Sequence, residues 1–147
     1  MKKLTALVIT ILTMMGSALA ARTPDGVTHD VRVLRVTDGD TIVIAAPYLP
    51  RPLKPELAVR IWGVDTPEKG YRAQCSQEAQ AAERATAWTR RAVGAGRQLQ
   101  VVLYDWDKYG GRVLGDVIVD GQSLRQGLIK NGHAREYYGD KKKSWCP

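Results

Sequence analysis

The sequence predicts a mainly β domain of the α+β class: five short strands that close a barrel, with helices added to it. Three observations carry this. Runs rich in β-branched residues recur along the chain, each bounded by Asp-Gly, Gly or Pro turn signals. One alanine-dense stretch, long enough for a helix, lies between the third and fourth runs. The chain has 147 residues, 44% apolar and 25% charged, at globular averages. A chain of this size buries roughly 68% of its unfolded surface, which suits one domain and excludes disorder or a fibrous repeat.

The first twenty residues are predicted to be an export signal. Lys2 and Lys3 form a charged start, Leu4 to Met15 an apolar stretch, and Ala18-Leu19-Ala20 a small-residue cleavage site. The apolar run is too short for a membrane span. Residues 21–147 then form a single domain, destined for the periplasm or the medium. Cleavage removes two lysines and no acids, so the formal charge falls from +7 to +5. A basic surface suits a polyanionic partner such as nucleic acid.

In chain order, Val31 to Val36 is the first strand and Thr41 to Ala46 the second, joined through Asp38-Gly39-Asp40, a strong hairpin signal. Pro47 to Pro55 holds four of the seven prolines and reads as a loop. Leu57 to Val64 is the third strand, closed by Thr66-Pro67. Ser76 can cap a helix over Gln77 to Val93, stopped by Gly94 and Gly96. Leu99, Val101 and Leu103 alternate along a fourth strand. Asp107 to Gly111 is a turn, and Arg112 to Val119 the fifth strand. Ser123 precedes a short helix ending near Asn131, with Leu124 and Leu128 on one face. Five strands with a helix between the third and fourth match an OB-fold barrel, a fold that commonly binds oligonucleotides.

Two cysteines, Cys75 and Cys146, in an exported chain invite one disulfide, worth about 4 kcal/mol by chain entropy for so long a loop. Zinc ligation has little support, because His29 and His133 are the only histidines and no CxxC pair occurs. Asp105, Asp107 and Asp116 superficially match an EF-hand loop, but Tyr109 stands at position five and the flanks read as strands. No G-x-x-x-x-G-K-[ST] loop is present, and nothing in the spacing favours a triad from Ser123 or Ser144 with His133.

Charged groups concentrate at strand ends in three segments: Thr37-Asp38-Gly39-Asp40-Thr41, Arg60 to Glu68 (R-I-W-G-V-D-T-P-E), and Asp107-Lys108-Tyr109-Gly110-Gly111-Arg112. Each alone is an ordinary turn or strand edge. Together and in this order they resemble the staphylococcal-nuclease-like (thermonuclease) family, from about Val31 to His133. The resemblance implies an OB-fold with added helices that hydrolyses DNA and RNA with Ca²⁺. It implies metal carboxylates at Asp40 and Asp65, a metal-binding carbonyl at Thr66, and Glu68 on the attacking water as base or orienter. Arg60 and Arg112 would hold the scissile phosphate, Lys108 and Tyr109 would flank the bound nucleotide, and Tyr137 and Tyr138 are candidates for stacking on it.

The chemistry accounts for those residue types. Phosphodiester hydrolysis adds negative charge to an already anionic centre, and a hard dication on oxygen ligands offsets part of it. Two guanidiniums supply bidentate donors that stay charged at any working pH. The sequence departs from the family where Gly111 intervenes before Arg112; the insertion either redirects Arg112 or is absorbed as a bulge. The proline-rich insert is longer than the family's simplest members need, and the family's long C-terminal helix has no counterpart, so a Cys75–Cys146 bridge would tether the tail instead.

The expectation is therefore an exported, monomeric, Ca²⁺-dependent nuclease, endonucleolytic and leaving 3′-phosphates. The alternatives are a non-catalytic OB-fold nucleic-acid binder and a small stapled envelope protein without a ligand. Acidic groups beside bound phosphate would repel it unless a cation intervened, which counts against pure binding.

Overall fold

The computed structural model describes residues 24–147, so the expected export signal lies outside the described residues. The elements run β1 (Val27–Asp30), β2 (Val33–Asp38), β3 (Thr41–Ala45), β4 (Glu56–Ile61), β5 (Val64–Asp65), α1 (Ser76–Ala95), β6 (Leu99–Trp106), β7 (Val113–Val119), β8 (Gln122–Ser123), α2 (Leu124–Lys130) and β9 (Arg135–Glu136). All five expected strands form, as β2, β3, β4, β6 and β7, and α1 lies between the third and fourth of them.

The main sheet is mixed, in the order β1-β6-β7-β4-β3-β2, with β8 paired to β7; β5 and β9 form a separate pair. All of its pairings are antiparallel except β4 with β7. Its two ends, β1 and β2, are consecutive in the chain, separated by Val31 and Arg32. Val31 N–H donates to Leu99 O, and Arg32 O accepts from Ala45 N–H. One stretch thus pairs first with β6 and then with β3. The two ends of the sheet path are thus consecutive parts of one stretch, the arrangement that the expected mainly β fold with added helices calls for.

β3 is buried along Thr41 to Ile44, and Ile42, Ile44, Val59, Ile61, Val101 and Val117 form the core with Leu124 and Leu128 of α2. α1 buries Glu78, Ala82, Ala85, Thr86, Thr89 and Val93, a spacing that keeps them on one face. Thr89 Oγ1 donates to Gly39 O at 2.7 Å, tying the helix to the β2–β3 turn. No helix among the described residues is long and apolar enough to cross a membrane.

Three details depart from the sequence reading. β1 was not foreseen because it is exposed throughout and carries no alternating apolar signal. The third expected strand is broken: β4 stops at Ile61, Gly63 adopts φ 72°, and Val64–Asp65 turn away to pair with β9. The cap of α1 is Cys75 rather than Ser76, with Cys75 Sγ accepting from Glu78 N–H at 3.4 Å. The proline-rich loop is closed at its base by Ala46 N–H on Pro55 O at 2.9 Å.

Candidate active site

Sheet register brings the three charged segments together. Thr41 pairs with Arg60 across β3 and β4, and Ile61 N–H donates to Asp40 O at 2.7 Å. The β2–β3 turn is therefore pinned beside the end of β4. The parallel pairing of β4 with β7 sets Val59 opposite Val113 and Arg60 opposite Leu114. Arg112, directly before Val113, enters at the same end. The result is a cleft of about 460 Å³ whose lining includes Asp40, Arg60, Glu68, Arg112, Tyr109 and Tyr137.

Asp40 is 3% exposed, and Arg60 Nη1 lies 2.7 Å from its Oδ2. Arg60 Nη2 also donates to Val64 O at 3.3 Å. Burial pushes the Asp40 carboxyl up to about 6 despite Arg60, and neighbouring Asp38 pushes the same way, while a hydrogen bond with the Thr66 side chain opposes them. Burial works against the Arg60 charge, but Asp40, Asp38 and Asp65 around it raise its pKa overall. Thr66 itself is buried.

Asp65 is 4% exposed and is held by the C-terminal tail. Lys142 Nζ lies 2.7 Å from Asp65 Oδ1 and 3.1 Å from Glu68 Oε1, and Trp145 Nε1 donates to Asp65 Oδ2 at 3.0 Å. Glu68 Oε2 is also 3.5 Å from Arg72 Nε. The backbone N–H of Glu68 donates to buried Glu78 Oε1 at 3.2 Å, and Gln74 N–H donates to Oε2 at 2.7 Å, so the start of α1 fixes the Glu68 loop.

The Gly111 insertion is absorbed within the β6–β7 turn. Gly110 and Gly111 take φ of 72° and 73°, conformations open to glycine at little cost, and Asp107 N–H donates to Arg112 O at 3.0 Å. Arg112 Nη2 reaches Asp107 Oδ2 at 2.5 Å and the side chain lines the cleft. Lys108 and Tyr109 line it too, with Lys108 Nζ 5.0 Å from the Tyr109 ring. The EF-hand resemblance dissolves: Asp105 lies on β6, while Asp116 on β7 is buried against the start of α2.

The two tyrosines separate in role. Tyr138 packs on Trp62 with ring centroids 5.1 Å apart and accepts from Arg125 Nη2 at 2.6 Å, which makes it part of the cleft wall. Tyr137 lies under Lys142, whose Nζ is 5.8 Å from its ring. Cys75 and Cys146 are joined in a disulfide, tethering the tail to the cap of α1.

Sequence reasoning missed Lys142 and Trp145, which reach Asp65 from 77 and 80 residues away with no periodic signal. It also missed Glu78, although Glu at the third helical position is a recognisable capping pattern. Trp106, 64% exposed at the end of β6, lines the cleft beside Tyr109. An exposed tryptophan next to a basic turn is the signal that could have found it.

The donor set fits a hard dication. Asp40 and Asp65 offer buried carboxylate oxygens, and at Asp40 burial and neighbouring Asp38 outweigh the ion pair with Arg60. Among the described residues no three His, Cys, Asp or Glu side chains are grouped so as to hold a metal ion. Residues 58–145 match the staphylococcal nuclease homologue family. That span opens within β4 and takes in every candidate catalytic, metal and substrate-binding residue except Asp40, which the Thr41–Arg60 register delivers to the rest. No curated protein matches the chain. With more than half of its length matched, and with the acidic and basic side chains of three turns gathered in one cleft, the chain belongs to the staphylococcal nuclease homologue family, a family of nucleases and nucleic-acid-binding proteins.

Proposed function

We propose that the protein is an exported, monomeric, Ca²⁺-dependent nuclease that cleaves DNA and RNA endonucleolytically and leaves 3′-phosphates. The observation that carries this reading is the meeting of buried Asp40 with Arg60, Glu68 and Arg112 at one cleft, with the second buried carboxylate, Asp65, paired to Lys142 of its lining. Bound between Asp40, Asp65 and the Thr66 carbonyl, Ca²⁺ would supply positive charge at the phosphate and lower the cost of ionising a nearby water.

The chain's own residues do the rest. Arg60 and Arg112 bind phosphate oxygens; each guanidinium has five N–H donors, so an ion pair through one nitrogen does not exhaust it. Their stabilisation grows as charge builds on those oxygens, which is what lowers the barrier. Glu68 sits at the cleft to accept the proton of the attacking water, with its loop fixed by Glu78. Attack at phosphorus breaks the P–O5′ bond, giving a 3′-phosphate and a 5′-hydroxyl. Lys108, Tyr109 and Tyr137 flank the substrate backbone and bases. Contacts of this kind tolerate any sequence.

The test is cleavage of circular single-stranded DNA by the protein with Ca²⁺ and then with excess chelator. Loss of the circle only with Ca²⁺ supports the reading. A salt-sensitive mobility shift without cleavage replaces it with a non-catalytic nucleic-acid binder.

A further inference from the structure

The carboxylates at the cleft are not partnered alike. Asp40 is held from within the sheet by Arg60. Asp65 is held wholly by the C-terminal tail in the contacts above: Lys142 takes Oδ1 and Trp145 takes Oδ2, while Lys142 also reaches Glu68. An ammonium 2.7 Å from one candidate ligand and 3.1 Å from the candidate base stands in the region a cation would enter.

The tail is built to hold that position. Cys146 is bonded to Cys75 at the cap of α1, the same helix start that fixes the Glu68 loop through Glu78. Arg135 lies 3.8 Å from the Trp145 ring centroid and its Nη1 donates to Ser144 O at 2.9 Å. Together these fix the residues around Trp145, three residues beyond Lys142.

We propose that Lys142 is a positioning residue that acts as a built-in competitor for the metal. It holds Asp65 and Glu68 in the metal-free protein, must yield when a divalent cation binds, and so sets the affinity of the site. The proposal rests on the metal reading above. Its physical basis is charge competition: two cations cannot share one carboxylate pair at close range without repulsion, so whatever stabilises Lys142 there weakens the metal by the same free energy. The disulfide strengthens the competitor by keeping the tail at the site, as any tether raises effective concentration.

Calorimetric titration of the metal-free protein with CaCl₂ tests this without reference to turnover. Lys142→Met should bind Ca²⁺ about two- to fivefold more tightly than the wild type, the range expected for a half-exposed ion pair. Lys142→Arg, which keeps the charge, should bind as the wild type does. Cys75→Ser/Cys146→Ser should shift in the direction of Lys142→Met; serine is itself a good helix cap, so α1 keeps its start. Equal or weaker binding by Lys142→Met overturns the competition while leaving the metal reading intact. No Ca²⁺ binding by any of the proteins overturns both. Unchanged affinity in the double-serine variant removes the disulfide from the account.

Discussion

Two of the regions that bury carboxylates solve the problem differently. At the start of α2, Asp116 is met by neutral donors: Val117 N–H at 2.8 Å, Arg125 N–H at 3.1 Å and the Ser123 hydroxyl. At and beside the cleft, Asp40 and Asp65 each take one neutral donor, the Thr41 hydroxyl and Trp145 Nε1, but their other oxygens are met by the cations Arg60 and Lys142. Backbone donors cannot leave without unfolding the helix start, so Asp116 is structural. Side-chain cations can be exchanged for another cation or drawn toward a phosphate. Burial of a carboxylate alone therefore does not mark a functional site; the kind of partner does.

Substitution should break this comparison cleanly. Asp65→Ala should lower kcat/KM for single-stranded DNA by about 10²- to 10³-fold, the scale seen when one charge-stabilising group is lost, with circular dichroism unchanged. Asp116→Ala should do the reverse. It strands several donors and should cost about 2 kcal/mol, read as a fall in Tm of roughly 10 °C, while the folded fraction keeps its activity.

A pH titration sharpens the contrast. The folded pKa of Asp40 is raised from 3.8 to about 6, so its favourable contribution is complete below the unfolded value and is lost as pH rises through about 6. Metal-free protein should lose up to about 3 kcal/mol from this source between pH 4 and 7, measured by urea melts, and Asp40→Asn should abolish that slope. Saturating Ca²⁺ should oppose it, because metal binding favours the deprotonated carboxylate.

How much of this was legible in the sequence depends on how locally it is written. The Asp40 turn, the Arg60–Glu68 segment and the Asp107–Arg112 turn each lie within nine consecutive residues, at strand ends that turn residues and β-branched runs announce. Their convergence follows from register, which a resemblance supplied and a pattern alone does not. The tail was illegible for the opposite reason. Lys141-Lys142-Lys143 reads as solvated charge, and only the chain's path brings Lys142 to Asp65. Tyr138, expected only as a candidate for stacking on the nucleotide, lines the cleft while packing on Trp62 and bonding Arg125, contacts that no local pattern announces. Gly110 and Gly111 both take positive φ, and Arg112 after them pairs with Asp107 at the cleft.

A smaller effect than these concerns Trp106, exposed at the end of β6 and lining the cleft. Trp106→Ala should weaken binding of a short single-stranded oligonucleotide by about tenfold, one stacked base in magnitude, with little change in Ca²⁺ affinity. Fluorescence anisotropy at fixed salt would read it.

The most direct measurement is cleavage of circular single-stranded DNA by Asp40→Ala at saturating Ca²⁺, beside the wild type and with the fold checked by circular dichroism. The account predicts an intact circle from a folded variant. Ca²⁺-stimulated cleavage at the wild-type rate would contradict it.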